Sequence, residues 1–207
     1  MDIILSGSAG RIQASYHAAG GIDNPIAVVF HDTPADGGSM NEPVAYTLFY
    51  TFLKKGFSVL RFNFRGVGGT EGEFEGGDAE LADASSAVDW LQRTREESQT
   101  FFLAGVGFGA WIAHQMAMRR VEIKNYIAVS PPIKKFDYSF FNPAACPGLV
   151  IGSREVVGEE ETLKSFVTGV NRQKAGRATL SMLDGSLPSS LGEIYTTASD
   201  YIDKSMK

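Results

Sequence analysis

Short apolar runs alternate with helical hydrophobic periods along the chain. The runs are rich in β-branched and aromatic residues and are bounded by turn residues, which is typical of buried strands. They lie at 26–30, 58–62, 101–104, 126–129, 149–151 and 178–183. Segment 11–18 alternates apolar and polar residues and predicts an antiparallel edge strand ahead of the first buried one.

Helical periods fill the intervals between these strands. Apolar positions three, four or seven residues apart form one-sided faces at 44–53, 81–91, 163–170 and 194–202. Asn41 is predicted as the N-cap of the first helix, with Pro43 in its first turn. Segment 110–118 is apolar nearly all round and predicts the most buried helix. The alternation predicts the α/β class, with a mostly parallel central sheet and helices on both faces.

Composition narrows the functional classes. The 207 residues suit a single domain spanning 1–207. Nineteen Lys and Arg against 24 Asp and Glu give a formal charge of −5, which argues against a nucleic-acid-binding surface. A single cysteine, Cys146, excludes a disulfide framework within the chain and a cysteine-built metal site.

Targeting and membrane segments are also not expected. The start MDIILSGSAGR lacks the basic residues and the long apolar run of a signal peptide. No stretch approaches the ~18 consecutive apolar residues that a membrane span needs. We therefore expect a cytoplasmic protein that does not bind membranes.

Three loops at the predicted carboxyl ends of the strands carry the distinctive motifs. Ligands of such sheets bind at these ends. The loops read FHDTPADGGSMN at 30–41, RFNFRGVGGTEG at 61–72 and LAGVGFGA at 103–110. Together they resemble the α/β-hydrolase superfamily, above all a compact bacterial group with HPHP…GG, RFNFRGVGxS and GxSxG at these places. The resemblance runs from about residue 11 to the C-terminus and implies the α/β-hydrolase fold.

The resemblance also implies a nucleophilic serine at the middle of GxSxG, on a tight turn between a strand and a helix. This chain has Gly107 there, which offers no side chain to attack a carbonyl. The flanking Gly105 and Gly109 are present. We therefore expect the turn to persist, with a backbone at Gly107 that a side chain would adopt only with strain.

The other two triad positions are altered as well. Serine hydrolases of this fold follow the chain order Ser, Asp or Glu, then His. No histidine follows His114, and Gly185 stands where the base is implied. Glu155 stands where the acid is implied, but a carboxylate has no triad role without an imidazole to orient. Loss of nucleophile or base lowers turnover by about 10⁶ in a well-studied triad, so we interpret this one as vestigial.

Binding groups remain around the turn. In the superfamily the N–H after the elbow, here that of Phe108, donates to the oxyanion. A second donor is implied in the loop after the first buried strand, where Asp32, Thr33 or Ala35 qualifies and Pro34, lacking an N–H, does not. These donors at a helix N-terminus favour an anion even without a nucleophile.

Four more residues, in the first two loops, are implicated in shaping this region. His31 either buttresses its loop, the interpretation we favour, or binds a polar ligand together with Asp32. Arg65, with Arg61, is predicted to fix the second loop through hydrogen bonds and packing, at a turn that contains Gly66.

Substitute nucleophiles are weakly supported. Ser130, Ser153 and Ser186 lie near predicted strand ends, and the only nearby bases are Lys134 and Lys135. We interpret Ser130 as the end of a strand before two prolines.

Three further side chains receive structural interpretations. Cys146 is predicted to be a small buried hydrophobe. His114 is predicted to be a hydrogen-bonded packing residue, and His17 to face solvent.

Cofactor motifs are incomplete. Residues 105–110 fit GxGxxA, a motif of dinucleotide-binding folds. In those folds the motif follows the first strand, and an acidic residue ends the next strand. Here the motif follows the third buried strand and the acidic residue is missing, which disfavours a dinucleotide-dependent oxidoreductase. The glycine-rich loop lacks the Gly-Lys-Ser/Thr of a P-loop, and its alternating glutamates suit a solvated face better than a metal site. We expect no cofactor and no metal.

The sequence thus predicts a non-catalytic protein that binds a small molecule or a protein over Gly107. The alternative is an esterase- or peptidase-like hydrolase that acts on acyl substrates with an unconventional nucleophile.

Overall fold

The computed structural model describes residues 1–21, 23–141, 144–172 and 177–207. Within them the strands are β1 (Asp2–Gly7), β2 (Gly10–His17), β3 (Ile26–Phe30), β4 (Ser58–Phe62), β5 (Phe101–Val106), β6 (Ile123–Val129), β7 (Gly148–Ser153) and β8 (Ala178–Leu183). The helices are α1 (Pro43–Lys54), α2 (Asp78–Thr94), α3 (Phe108–Arg119), α4 (Glu159–Val170) and α5 (Leu191–Ser205). A short 3-10 turn covers Pro34–Asp36.

All eight strands form one sheet, in the order β1-β2-β4-β3-β5-β6-β7-β8. The six strands from β3 to β8 pair in parallel, and β2 pairs antiparallel with both β1 and β4. The predicted class, with its mostly parallel sheet, is confirmed. Segment 11–18 is antiparallel as predicted, but its place at the edge is wrong, because β1 lies outside it. Only Leu5 of β1 is buried, so this strand has almost no hydrophobic pattern to recognise.

Helices cover both faces of the sheet. Side chains of α2, α3 and α4 pack with one face, and those of α1 and α5 pack with the other. Every residue of β3, β5 and β7 is buried, as expected for central strands covered on both sides. In α3 all residues from Phe108 to Ala117 are buried, so the prediction of a central apolar helix is confirmed.

The start of α1 differs from the prediction. The N-cap is Glu42, not Asn41, and its side chain does not cap the helix. Asn41 Oδ1 instead accepts a hydrogen bond from Arg61 at 2.7 Å. Glu42 Oε1 accepts one from the N–H of Asp32 at 3.0 Å. The two side chains are held by β4 and by the loop after β3, which outweighs the local preference of Asn for the capping position.

The first turn of α3 touches the sheet through backbone atoms. A Cβ added at Gly105 would lie 2.2 Å from the carbonyl oxygen of Gly109. One added at Gly109 would lie 2.4 Å from the carbonyl oxygen of Phe30, at the end of β3. Backbone cannot move aside as a side chain can, so this approach of helix and strands requires glycine at both positions.

We expect Gly109→Ala to lower the free energy of unfolding by about 1–3 kcal/mol through overpacking against β3. Gly192→Ala is the matched control, because a Cβ at Gly192 of α5 meets nothing within 4 Å. The control should leave stability unchanged or slightly raised, since alanine favours helix over glycine. Urea unfolding of the two variants measures the difference, and equal midpoints would contradict the described contact of α3 with β3.

Candidate functional site

The turn between β5 and α3 is held by Gly107. Its φ of 53° and ψ of −121° lie in a region that strains any residue with a side chain. Its N–H donates to the carbonyl oxygen of Val129 in β6 at 2.9 Å, which fixes the turn to the sheet. The strained backbone that the sequence predicts at this position is therefore present.

The carboxylate of Asp32 lies directly against this turn. Asp32 Oδ1 accepts hydrogen bonds from the N–H of Phe108 at 2.8 Å and from the N–H of Thr33 at 2.7 Å. The N–H of Phe108 is the oxyanion donor that the resemblance implies, and the N–H of Thr33 is one of the three candidates for the second donor. A carboxylate at the first N–H of a helix is also favoured by the helix dipole. The two donors are thus occupied by an anion that belongs to the chain itself.

The same carboxylate fills the space above Gly107. A Cβ added at Gly107 would lie 2.1 Å from Asp32 Cγ and 2.1 Å from each carboxylate oxygen. A side chain at position 107 therefore requires Asp32 to move. Spacing along the sequence does not reveal this overlap, because it depends on how β3 and α3 approach each other.

Acidic groups dominate the electrostatics around Asp32. Burial raises the pKa of Asp32, the N–H groups of Phe108 and Thr33 lower it, Asp36 raises it and Lys135 lowers it. Burial raises the pKa of Glu42 to about 7, with the N–H of Asp32 acting in the opposite direction. The sequence analysis missed Glu42 as a site residue, and only its position before a helix hinted at any special role.

His31 is fully buried and both of its ring nitrogens contact backbone. The N–H of Phe64 donates to Nε2 at 2.9 Å, so the ring proton lies on Nδ1 and is donated to the carbonyl oxygen of Asp32 at 2.6 Å. Burial lowers the pKa of His31 to about 4. These contacts agree with the buttressing interpretation, and they leave neither nitrogen for a ligand.

The remaining triad positions lie at the ends of β7 and β8. The side chain of Glu155 is exposed, and in the described part of the chain only its N–H is bonded, to Ser153 Oγ at 3.2 Å. Ser153 Oγ donates in turn to the carbonyl oxygen of Gly185 at 2.9 Å and joins the two strand ends. Glu159 Oε2 accepts the N–H of Ser153 at 2.9 Å. At the end of β7 the hydrogen-bonded carboxylate is thus that of Glu159, which was not a predicted site residue, and not that of Glu155.

Arg65 anchors the glycine-rich loop to α2. Its guanidinium is buried and donates to both carboxylate oxygens of Asp83, at 2.8 and 2.9 Å, and to the carbonyl oxygen of Ala79 at 2.9 Å. Gly66 follows with a φ of 77°, where glycine is favoured. Arg61 Nη1 donates to the carbonyl oxygen of Met40 at 2.6 Å. Arg65 thus fixes the loop after β4 as predicted, whereas the prediction for Arg61 is wrong, because Arg61 holds the loop after β3 instead.

Four other residues singled out in the sequence have surroundings that indicate structural roles. Ser130 has a φ of 42°, and its buried Oγ has no hydrogen-bond partner among the described residues. Burial raises the pKa of Cys146 to about 12, which leaves an unreactive thiol. His17 faces solvent as predicted. His114 is buried as predicted, but the predicted hydrogen bond is wrong: neither ring nitrogen has a partner in the described part of the chain, because aromatic rings surround it.

Neither metal ligands nor membrane spans are found where the structure is described. Within ranges 1–21, 23–141, 144–172 and 177–207, no group of three or more His, Cys, Asp or Glu side chains is placed to hold a metal ion. Across the same ranges, no helix has the length and hydropathy to cross a bilayer.

The buried imidazole of His31 makes stability depend on pH. Because its folded pKa of about 4 lies below the ordinary 6.5, its stabilising contribution is present above pH 6.5 and is lost as the pH falls toward 4. We expect His31→Gln to flatten the slope of unfolding free energy against pH in this window by about 1.4 kcal/mol per pH unit.

Denaturant titrations between about pH 6.5 and 4 measure this slope. The exposed His17 supplies the control, because His17→Gln removes a histidine without removing a buried one. It should keep the slope of the unaltered protein. If His31→Gln instead kept the slope of the unaltered protein, the imidazole of His31 would be protonated at the same pH in the folded and unfolded states.

Known proteins resemble this chain in sequence and in fold. "Uncharacterized protein RP471" of Rickettsia prowazekii is 39% identical over 177 residues, which cover 84% of this chain and 74% of that protein. The crystal structure of ATU1826 from Agrobacterium tumefaciens, described as an α/β hydrolase of unknown function, superposes with a TM-score of 0.96 at 37% identity, covering 100% and 96% of the two chains. An α/β serine hydrolase homologue from Coxiella burnetii gives a TM-score of 0.83 at 26% identity, covering 97% and 96%.

These likenesses establish the α/β-hydrolase fold that the strand-end motifs indicated. The sequence itself adds a narrower assignment, because residues 20–181 match the X-Pro dipeptidyl-peptidase family, S15. That span includes the loop of Asp32, the glycine-rich loop and the turn at Gly107. The chain therefore belongs to the S15 family of the α/β-hydrolase superfamily.

Proposed function

We propose that this protein is a non-catalytic member of its family, which binds a ligand or a protein over the turn at Gly107. One observation carries the proposal: Asp32 Oδ1 accepts the N–H groups of both Phe108 and Thr33. Acyl transfer needs such donors for the oxyanion that develops in the transition state. Here the resident carboxylate would have to leave before a substrate oxygen could enter.

The triad positions support the same proposal. Gly107 offers no nucleophile, Gly185 offers no imidazole, and Glu155 is exposed with no bond from its carboxylate to a described residue. Loss of a single oxyanion donor lowers turnover by about 10²–10³, and loss of a nucleophile or base by about 10⁶. A protein that retains neither set of groups would hydrolyse an acyl substrate little faster than water alone does.

The charge above Gly107 indicates what the ligand would present. Asp32 has one carboxylate oxygen engaged by the backbone, the charge of Asp36 raises the pKa of Asp32, and the charge of Asp32 raises that of Glu42. Lys135 opposes them only in part. Such a surface favours hydrogen-bond donors, so we propose that the ligand carries an amine. A peptide amino terminus is a ligand of this kind, and it fits a family described as dipeptidyl-peptidases.

A second candidate is a hydrolase that uses Asp32 as an unconventional nucleophile. The observation that favours it is the position of the carboxylate, which fills the volume of a side chain at position 107. Two N–H groups on Oδ1 weigh against it, because they stabilise the carboxylate and lower its nucleophilicity. The same bonds would leave those donors unable to serve a substrate oxyanion.

The overlap of Asp32 with a side chain at position 107 can be measured as a coupling energy. We expect Gly107→Ser to destabilise the protein, since it adds strain at positive φ to a collision with the carboxylate. In Asp32→Ala/Gly107→Ser the collision is absent, so the double variant should be more stable than the sum of the singles by about 1–3 kcal/mol. Urea unfolding of all four proteins closes the cycle.

Asp36→Ala provides the matched control for this cycle. Asp36 belongs to the same loop, but its carboxylate bonds to Thr33 Oγ1 at 2.8 Å instead of covering Gly107. Asp36→Ala and Gly107→Ser should therefore be additive within about 0.5 kcal/mol. Additivity in the Asp32 cycle would show that Asp32 does not obstruct position 107.

Activity assays test the proposal itself. The unaltered protein should form no adduct with a fluorophosphonate in intact-mass spectrometry and should not hydrolyse p-nitrophenyl acetate above background. Gly107→Ser alone should also stay at background, because an unactivated alcohol attacks poorly. Asp32→Ala/Gly107→Ser/Gly185→His opens the donors and supplies an imidazole, and it should be the first of the series to exceed background.

Three outcomes would count against a non-catalytic role. Stoichiometric labelling of the unaltered protein would identify a substitute nucleophile. Hydrolysis by the unaltered protein that disappears in Asp32→Asn would favour the second candidate. Turnover by Gly107→Ser equal to that of the triple variant would also count against the proposal, since a base would then already be present.

A further inference from the structure

A cluster of buried polar atoms lies away from Gly107, between α3 and the segment that follows β6. Its members are Nδ1 and Nε2 of His114, the hydroxyl of Tyr126 and the hydroxyl of Tyr138. All four atoms are shielded from solvent, and none has a hydrogen-bond partner in the parts of the chain that the structure describes. His114 and Tyr126 are themselves fully buried.

Aromatic rings pack around the imidazole of His114, and we call this cluster of rings and polar atoms the chamber. The ring centre of His114 lies 4.7 Å from that of Tyr126 and 5.6 Å from that of Tyr138. Phe141 lies at 4.3 Å and Phe166 of α4 at 5.9 Å from the same ring. The polar atoms of three residues are therefore enclosed together.

A surface cleft of about 650 Å³ opens beside this chamber. Tyr138, Phe141 and Phe166, the rings that pack around His114, also line the cleft. Only side chains thus separate the cleft from the polar cluster. Among the described residues, no acidic or basic side chain lines the cleft; its other walls are Ile133, Val170, Gly169 and the hydroxyl-bearing Ser139, Thr162 and Ser165.

The unpaired polar groups and the aromatic rings together limit which ligands the chamber can hold. Buried polar groups almost always have hydrogen-bond partners, so several unpaired ones at a single place call for an explanation. Burial lowers the pKa of His114 to about 3, which keeps the imidazole neutral with one donor and one acceptor nitrogen. Because the described residues of the walls carry no formal charge, a charged ligand would lose its hydration without compensation from them. Aromatic walls favour a flat ring as the apolar part of a ligand.

We propose that this chamber is a second ligand site, which takes a small neutral aromatic molecule carrying a hydroxyl group. Its ring packs among Tyr138, Phe141 and Phe166, and its hydroxyl exchanges hydrogen bonds with His114 and the tyrosine hydroxyls. The site is independent of the proposed binding at Asp32. His114 follows Gly107 by seven residues on α3, which corresponds to about 10 Å along the helix.

Entry requires the rings of Tyr138 and Phe141 to move, because they pack against His114. Tyr138 and Phe141 belong to the irregular segment between β6 and β7, so their rings are not fixed by helix or strand hydrogen bonds. Tyr126, by contrast, is held against the sheet, where a Cβ at Gly148 would lie 2.1 Å from its Cζ. The fixed groups recognise the hydroxyl, and the rings of the irregular segment form the entrance.

Phenol and toluene are matched probes for this site, because they differ in the hydroxyl group and little in ring size. We expect saturable binding of phenol to the whole protein, about tenfold tighter than that of toluene, since one buried hydrogen bond has roughly that value. Phenol should also move the ¹⁵N resonances of the His114 imidazole. Calorimetry and histidine-labelled NMR provide the two measurements.

Tyr138→Phe removes one hydroxyl and keeps the ring, so it should reduce the preference for phenol over toluene by about threefold or more. Tyr195→Phe is the control, because Tyr195 lies on α5 beside Tyr50, on the other face of the sheet. It should leave both affinities unchanged.

Three results would overturn the inference. The first is phenol binding that does not saturate, with imidazole resonances that report only contact with water. The second is equal affinity for phenol and toluene. The third is an equal loss of phenol preference in the Tyr138→Phe and Tyr195→Phe variants. A correct site at Asp32 would survive each of these results, because none of the probes or variants touches that loop.

Discussion

Asp32 uses nearly every polar atom it has to tie the loop after β3 to the start of α3. Its N–H donates to Glu42, its carbonyl oxygen accepts from His31, and Oδ1 accepts from Thr33 and Phe108. The bond to Phe108 spans 76 residues of sequence and crosses from one loop to the N-terminus of the buried helix. Because its backbone and side chain are both hydrogen-bonded, the Asp32 carboxylate is fixed in position over Gly107. The surface at that point is acidic for this reason.

The turn at Gly107 has a structural role in the packing of the central helix. Backbone contacts at Gly105 and Gly109 bring α3 against β3 and β5, and the N–H of Gly107 bonds to β6. These contacts serve the packing of the central helix, which every core residue nearby depends on. A fold can therefore retain the shape of a nucleophile turn while its side chains serve another purpose.

Much of this architecture could be predicted from sequence, because buried strands and apolar helix faces leave strong local patterns. The strands of the parallel sheet and the burial of α3 belong to that class. The features that could not be predicted depend on tertiary approach: β1 with its single buried residue, Asn41 drawn away from the cap by Arg61, and the missing partners of His114. The contact of Asp32 with Phe108 is of the same kind, since a short side chain finds its partner only after loop and helix have met.

The 2.1 Å overlap between Asp32 and a side chain at position 107 has a consequence for the history of such a chain. Each change toward an esterase is unfavourable while the other is still missing. A serine meets the carboxylate, whereas removal of the carboxylate leaves the N–H groups of Thr33 and Phe108 without their anion and gains no nucleophile. Each of the two changes therefore destabilises the protein less when the other has already been made. A chain with an acid at position 32 would therefore reach a serine at position 107 only through a less stable protein, whichever change came first.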